Sequence, residues 1–373
     1  MKIVHVILSD KISGAERVVQ GISKKLKRHN FVEIVCCEGD ISESYRKYAS
    51  NTYMLNCRNP ILMIGQLISY LRRVKPDIVH AHDNRASLYV LLAMKLSGIR
   101  TPIVSHVHNS YPFLLSSSLE KLVDSSIRKY YDANIMCTEL VDRFYRNNAP
   151  YYKKMKNVII LNNFTDVKSN ITLSNTDEYE DIYELRSLKE NNTLVGFVGR
   201  LEPQKALYEF ILELENINKS KLEGIKIIII GSGSQDGLIR KTIDRLALKK
   251  NIVFLGYKKN IYPYLKLLDI MILPSKYEGL PISVLEAMSL KVPVIASNVG
   301  GISSIIRDGQ TGLLVPKRDY ILFLQKILWL KENRKEALRI ALNAYKLVCD
   351  EYDIESYIKN LTSLYTTLIS VNK

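Results

Sequence analysis

The chain has 373 residues, 47% apolar and 24% charged, the balance of a folded protein with enough length for two hydrophobic cores. Lys and Arg number 53 against 38 acidic residues, a net charge of +15. Disorder, collagen and coiled coil are excluded, and no run reaches the ~18 consecutive apolar residues of a membrane span; the nearest, Ile61–Leu71, is interrupted by Gly65 and Gln66.

In chain order, the first apolar run, Ile3–Leu8, follows Met1-Lys2 directly and is expected to be a strand, being too short for a signal-peptide core and lacking a small-residue cleavage site. Further strands are expected at Val32–Cys37, Ile78–His82, Ile103–His108, Asn134–Cys137 and Val158–Leu161. A second series follows at Leu194–Val198, Lys226–Ile230, Ile252–Leu255, Ile270–Leu273 and Val292–Ala296. Nearly continuous hydrophobicity is the mark of parallel strands covered on both faces. Helical periodicity fills the gaps at Glu16–Arg28, Leu62–Arg73, Ala86–Leu96, Leu119–Tyr130, Leu207–Leu214, Leu238–Leu246 and Ile282–Leu290. Only helical pattern remains after Leu330, with a final helix expected over Tyr352–Ile369.

This alternation predicts an α/β protein with two Rossmann-like domains facing each other across a cleft. The polar stretch Asp166–Asn192 divides the two strand series and reads as a connection carrying one short helix. The expected division is 1–165, a connection over 166–192, a second domain over 193–350, and a C-terminal helix in 351–373 packing back towards the first domain. In open parallel sheets ligands bind beyond the carboxyl ends of the strands, so chemistry is sought there.

Five cysteines (Cys36, Cys37, Cys57, Cys137 and Cys349) show no CxxC spacing and are expected to be reduced, buried thiols of a cytoplasmic protein. The positive charge is uneven: up to Thr165 there are 24 basic and 13 acidic residues, beyond it 29 and 25. Clusters lie at Lys24-Lys25-Leu26-Lys27-Arg28, Arg72-Arg73-Val74-Lys75 and Lys153-Lys154-Met155-Lys156. Such a face suits an anionic membrane surface, a phosphorylated substrate or nucleic acid, or is simply solvated lysine. The aromatic residues are mostly Tyr and no nucleic-acid-binding motif is present, so no nucleic-acid partner is expected.

The richest constellation runs from Pro274 to Glu286 behind the strand Asp269–Leu273. Glu278, Gly279, Leu280 and Pro281 form a strand-to-helix loop, with Pro281 suited to the first turn of the next helix. That helix aims unpaired amides and partial positive charge at an anion, while Glu278 and Glu286 can take two separate sets of hydroxyls. Arg200 and Lys205 supply fixed cations after the first strand of the second half. Gly231-Ser-Gly233 is a tight strand-to-helix turn but not a dinucleotide fingerprint. All six histidines precede Asn109, four of them as His80-Ala-His82 and His106-Val-His108, and period-two spacing puts each pair on one sheet face. A zinc or dinuclear hydrolase centre is one reading of these pairs, though no later histidine completes the set.

The E-x7-E frame with Gly-Leu-Pro after its first Glu resembles the donor-site signature of family 4 glycosyltransferases, which have the GT-B fold. Gly199-Arg200-Leu201-Glu-Pro-Gln-Lys205 resembles the same family's G-R-L-x-x-x-K segment. Ser13-Gly14-Ala15-Glu16-Arg17 resembles its Gly-Gly-Ala-Glu-Arg loop, with Ser13 in place of the first glycine. Val104–Asn109 resembles the T-x-H segment, which gives His108 the sugar-facing role and puts His106 at the usual Thr position. His80 and His82 match a D-x-V-H-x-H strand, Gly256-Tyr257-Lys258 a segment near the nucleobase, and Asn162-Asn163-Phe164 an interdomain hinge motif. Val299-Gly300-Gly301 resembles a G-G-x-x-E turn in which Ser304 replaces Glu.

The resemblance implies a retaining transferase of the bacterial surface-polysaccharide type. It would move sugar from a nucleotide-sugar donor, which is a substrate and not a cofactor, to a glycan or lipid-linked oligosaccharide. The implied catalytic residues are His108, Glu278, Arg200 and Lys205. Donor binding would fall to Gly14, Ala15, Arg200, Lys205, Gly231, Tyr257, Glu278, Gly279, Leu280, Pro281 and Glu286. No D-x-D occurs in the sequence, so transfer is expected to be independent of metal. The expected location is cytoplasmic, peripheral on the inner face of the plasma membrane. A sugar-nucleotide epimerase of similar architecture and the metal-dependent hydrolase remain as alternatives.

Overall fold

Thirteen strands, β1 (Lys2–Ile7), β2 (Phe31–Cys37), β3 (Asn51–Leu55), β4 (Ile78–His82), β5 (Ile103–Val107), β6 (Ala133–Met136), β7 (Val158–Ile160), β8 (Thr193–Val198), β9 (Ile225–Ile230), β10 (Ile252–Gly256), β11 (Ile270–Leu273), β12 (Val294–Ser297) and β13 (Leu313–Val315), are found among the described residues. The computed structural model describes residues 1–373 except 10–13, 40–43, 110, 117, 150, 153, 154, 156, 177–179 and 372–373, and the Pro112 side chain. The first sheet has the order β3-β2-β1-β4-β5-β6-β7, the second β10-β9-β8-β11-β12-β13, and all pairings are parallel. Each order reverses once, between β1 and β4 and between β8 and β11, and such a reversal opens a crevice beyond the strand ends.

Two compact units result. One comprises Met1–Phe164 with Ile354–Lys373, the other Thr165–Asp353. In the first, one sheet face packs Val4, Val6, Val79 and Ala81 against Met63, Leu67 and Leu71 of the helix Pro60–Val74 and Val90 of the helix Asp83–Ser97. Asn59 fixes the start of the former by accepting from the amides of Ile61 and Leu62 ahead of the Pro60 first turn. The opposite face meets the helix Gly14–Leu26, whose Ala15 and Val19 cluster with Ile7, Ile34, Cys36 and Tyr45. The final helix, Ile354–Val371, belongs to this unit: a Cβ at Gly21 would stand 2.8 Å from Phe164 and 3.4 Å from Ile354. In the second unit the helix Ile282–Ser289 is buried at seven of its eight positions.

Several expectations are corrected. The strands β3 and β13 were not expected: β3, at a sheet edge, is exposed or half-buried except at Leu55, and β13 is only the three residues Leu313–Val315. The stretch 166–192 holds two helices, Val167–Leu173 and Glu180–Asn191, where one was expected. The helix begun at Leu119 ends at Ile127 and tightens over Arg128–Tyr130. The cysteines are not all reduced: Cys37 is bonded to Cys57 with Cα atoms 5.5 Å apart, while Cys36, Cys137 and Cys349 remain thiols. Cys37 pairs in register with Leu55, so the chain leaving β3 returns Cys57 beside it. No helix among the described residues is long and apolar enough to cross a membrane.

Candidate active site

Lys205 and Glu278 come from the two strands that flank the reversal in the second sheet: Lys205 follows β8 and Glu278 follows β11. Their side chains meet at 2.6 Å, Nζ to Oε1, with exposures of 13% and 5%. Oε1 also accepts from the Ser275 hydroxyl at 2.6 Å, so both contacts use one carboxylate oxygen. Partial desolvation strengthens such a pair and makes either member costly to leave alone.

Backbone contacts knit the surrounding loops together. Gln204 donates its amide to Tyr277 O at 2.9 Å and accepts from Lys276 N at 2.8 Å, binding the loop after β8 to that after β11. Gly231, at φ 143°, sits so close to the β8 loop that a Cβ would lie 1.8 Å from Gly199 O. Its amide donates to Gly256 O at 2.8 Å, which ties the β9 loop to the end of β10. Gly300, at φ 53°, approaches Glu278 in the same way, with its imagined Cβ 1.8 Å from Glu278 O, and Gly301 N donates to Gly279 O at 2.8 Å. The turn at Val299–Gly301 therefore buttresses the Glu278 loop, while Ser304 donates its hydroxyl to Gly301 O at 2.6 Å.

Gly279 and Leu280 are buried beside Glu278, and Pro281 in extended conformation precedes the helix Ile282–Ser289. Glu286, one turn into that helix, is buried and accepts from the Tyr262 hydroxyl at 3.0 Å. Arg200 is exposed; its charge opposes burial and Glu278, which together push the Tyr277 phenol up. Tyr257 lies apart from the Lys205–Glu278 pair, 54% exposed at the end of β10, two strands out from β8.

In the first unit the register places five imidazoles on one sheet face. His5 lies opposite His80, His82 opposite His106, and His108 follows the end of β5 at Val107. His5, His80, His82 and His106 are fully buried. His82 is the hub: its Nε2 is 3.0 Å from His5 Nδ1 and its Nδ1 3.1 Å from His108 Nε2. His80 Nδ1 meets the Tyr365 hydroxyl at 2.6 Å. Desolvation pushes His5 down to about 3 and His108 to about 4, the latter against the nearby Glu16 carboxylate, and lowers His80, His82 and His106 as well. All five are therefore neutral at pH 7. Two sets of three, His5 with His80 and His82, and His82 with His106 and His108, offer nitrogens within 4.8 Å of one another.

Gly14 and Ala15 open the helix after β1, and the buried Glu16 accepts from the Ser9 hydroxyl. Ser13 of this loop and the basic residues Lys153, Lys154 and Lys156 lie outside the described residues. The motifs passed over His5, Ser275 and Tyr262; a strand order with β1 beside β4 would have placed His5 in line with His80. They also passed over a buried polar group at the ends of β4 to β6. There Arg128 is fully buried, holds both Asp124 oxygens at 2.8 Å and donates to Asn84 Oδ1 at 2.7 Å, while Asp83, at φ 69°, accepts from the Tyr111 hydroxyl.

Comparison with known proteins accounts for both halves. Residues 12–167 match the model described as Glycosyltransferase Family 4, and residues 180–347 that described as Glycosyl transferases group 1. A UDP-Gal:alpha-D-GlcNAc-diphosphoundecaprenol alpha-1,3-galactosyltransferase from Escherichia coli is 25% identical over 100% of this chain and 98% of its own length. The capsular polysaccharide biosynthesis glycosyltransferase CapM from Staphylococcus aureus is 28% identical over 49% of this chain and 48% of its own. The crystal structure of Anabaena HepE in complex with UDP-glucose superposes with a TM-score of 0.85 at 20% identity, covering 98% of this chain and 100% of that one. The two parallel α/β units have GT-B structural neighbours, as the sequence motifs imply.

Proposed function

The chain is a glycosyltransferase, as the models matched by its two halves and the names of its relatives show, and we propose that it moves a sugar from a nucleotide-sugar donor to a glycan or lipid-linked acceptor with retention of configuration. The step belongs, in this reading, to the assembly of a bacterial surface polysaccharide, supported by the diphosphoundecaprenol-linked substrate and the capsule in its relatives' names.

The observation that carries the donor assignment is the Lys205–Glu278 pair at the reversal of the second sheet. Departure of a nucleoside diphosphate builds negative charge on its phosphates, and cations already in place stabilise that charge without reorganisation. Lys205 and Arg200 supply them, together with the amino end of the helix Ile282–Ser289. With Lys205 and Ser275 both on Oε1, the second Glu278 oxygen is left for a sugar hydroxyl. Glu286, oriented by Tyr262, takes the ribose hydroxyls. Gly231 and Tyr257 border the nucleobase. On the first unit, the motif resemblance would give Gly14 and Ala15 a role at the donor phosphates and His108 one at the transferred sugar. Attack from the face the diphosphate leaves would retain configuration. This arrangement calls for no metal ion and no nucleic acid.

The acceptor side is assigned to the basic first unit, at the cytoplasmic face of the plasma membrane. Ile61 at 82% exposure and Leu62 at 54% stand at the start of a helix that ends in Arg72 and Arg73, a combination suited to an anionic surface.

A thermal-shift panel of UDP, GDP and ADP sugars in EDTA, on wild type and Glu286→Ala, tests the reading. A ligand at 100 times its Kd stabilises the fold by about 2.7 kcal/mol. The expected result is a shift with one nucleotide class, lost in the variant. No shift with any donor, but one with Zn²⁺ once EDTA is omitted, would overturn it in favour of the histidine-centred hydrolase. Conversion of the sugar nucleotide without acceptor would favour the epimerase.

A further inference from the structure

We propose that His5, His82 and His108 form one hydrogen-bonded imidazole chain whose members share the Nδ1–H tautomer, making His5 and His82 positioning residues for His108. The shared tautomer stands on geometry alone; its consequence for transfer rests on the reading of His108 as the sugar-facing side chain.

A neutral imidazole has one N–H and one bare nitrogen. His82 faces His5 Nδ1 at 3.0 Å with its Nε2 and His108 Nε2 at 3.1 Å with its Nδ1. Each contact needs one donor and one acceptor. If His5 donates from Nδ1, His82 accepts at Nε2, must carry its proton on Nδ1, and donates it to His108 Nε2. His108 then carries its own proton on Nδ1. Reversing one bond reverses both, and all three protons move to Nε2. Only these two arrangements satisfy the chain, so no member can change tautomer alone.

The ends of the chain choose between them. His5 Nε2 and His108 Nδ1 have no hydrogen-bond partner. In the Nε2–H arrangement, an unpaired N–H would be sealed at His5, which is fully buried. In the Nδ1–H arrangement His5 keeps only a bare lone pair there. The unpaired N–H falls instead on His108 Nδ1, which is as buried as His5 Nε2 but lies within the field of the Glu16 carboxylate, a charge that favours a donor at this end of the chain. Each arrangement buries one unpaired N–H and one bare lone pair, so the negative charge of Glu16 beside the His108 end decides for this second state. The chain thereby fixes both the tautomer and the orientation of the His108 ring. The strand register holds the chain: His5 and His82 are diagonal neighbours on β1 and β4, and His82 lies opposite His106, two residues before His108.

A metal ion shared by these rings fits less well. Any ion held by either set of three would take a lone pair of His82 and so replace one of its two contacts with neighbouring rings. His80 and His82 are also stacked, centroids 4.2 Å apart, rather than turned edge-on to a common point.

The test uses the full chain labelled with ¹⁵N only at its six histidines, in EDTA at pH 7.5, with proton–nitrogen two-bond correlations reading the tautomers and single substitutions giving the assignment. The expected wild-type result is Nδ1–H at His5, His82 and His108. In His5→Phe the other two should become tautomer mixtures, while His5→Asn, whose amide can stand in for the Nδ1 donor, should hold them. Turnover of the donor selected by the thermal panel, read as nucleoside diphosphate release, should fall about tenfold in kcat for His5→Phe, the scale of a misplaced catalytic contact, with KM unchanged and recovery in His5→Asn. Nε2–H or mixed tautomers in wild type would overturn the proposal. So would ring-nitrogen shifts of metal ligation when Zn²⁺ replaces EDTA. The wild-type spectrum decides the tautomer even if a variant fails to fold. Should the three tautomers agree while His108→Ala turns over like wild type, the chain stands and the sugar-facing reading of His108 fails.

Discussion

Lys205 and Glu278 are 73 residues apart in sequence and 2.6 Å apart in space, joined where the second sheet reverses its order. A charge pair so shielded has a clear mutational signature. Lys205→Met should destabilise the second unit by about 3 kcal/mol, because it strands a buried carboxylate, whereas Lys205→Met with Glu278→Gln should recover most of that loss. Urea unfolding of the two single variants and the double variant measures it. Turnover should be lost in all three, which separates the structural role of the pair from its part in transfer.

The loop behind this pair leaves no room for a methyl group. Gly300→Ala would need both a positive φ and a Cβ 1.8 Å from Glu278 O, so the Glu278 loop must shift. Gly237, in the helix Asp236–Arg245, has nothing within 4 Å of its imagined Cβ. Gly237→Ala should be neutral or stabilise by up to about 1 kcal/mol, and Gly300→Ala should abolish donor-induced thermal stabilisation. Equal donor shifts in the two variants would contradict the buttressing role of the turn.

The buried histidines make stability depend on pH in a definite direction. Their folded pKa values lie below 6.5, with His5 at about 3 and His108 at about 4, so between those limits the unfolded chain binds more protons. The folded state is unpenalised above pH 6.5 and loses stability as pH falls through the window. Each such histidine adds a slope of up to about 1.4 kcal/mol per pH unit. His106→Phe removes one proton from the difference and also two unpartnered ring nitrogens. Urea midpoints at pH 7.5, 6.0 and 5.0 should show a shallower slope in this variant, with stability at pH 7.5 equal or higher.

The Cys37–Cys57 bond closes a sequence separation of 20 residues, a loop whose constraint is worth about 3 kcal/mol in the chain-entropy account. Thiol counting on oxidised, denatured protein should return three free groups, and five after reduction. Cys57→Ser should match the reduced wild type in urea and gain nothing from reductant removal.

Much of this architecture was legible because a buried parallel strand writes its whole length in apolar residues. The run Ile227–Ile230 could scarcely be anything else, and Ile270–Leu273 was bounded correctly at both ends. Of the four edge strands β7 and β10 were legible and β3 and β13 were not; β3 escaped because its burial leaves only the fragment Tyr53-Met54-Leu55. Motif spacing pointed to Glu278 and Lys205 separately, but their direct pairing depends on the β8–β11 adjacency, which spacing does not encode. His5 escaped for a related reason: a lone histidine in a strand carries no pattern of its own, and acquires partners only when β4 is laid beside β1. Cys37 and Cys57 likewise meet through an edge pairing that the sequence did not announce.

The first unit is closed by residues from both sides of the second. His80 on β4 receives its Tyr365 contact from the helix Ile354–Val371, and Gly21 packs against both Phe164 and Ile354. During synthesis, that helix leaves the ribosome only after all of Thr165–Asp353 has emerged. His80 must therefore wait for its Tyr365 contact while the second unit is translated, although the helix Gly14–Leu26 can already pack on the same sheet face. Since the most recently made stretch of a nascent chain stays inside the ribosome, the Tyr365 contact on His80 can form only around release of the chain, as one of the last steps of folding.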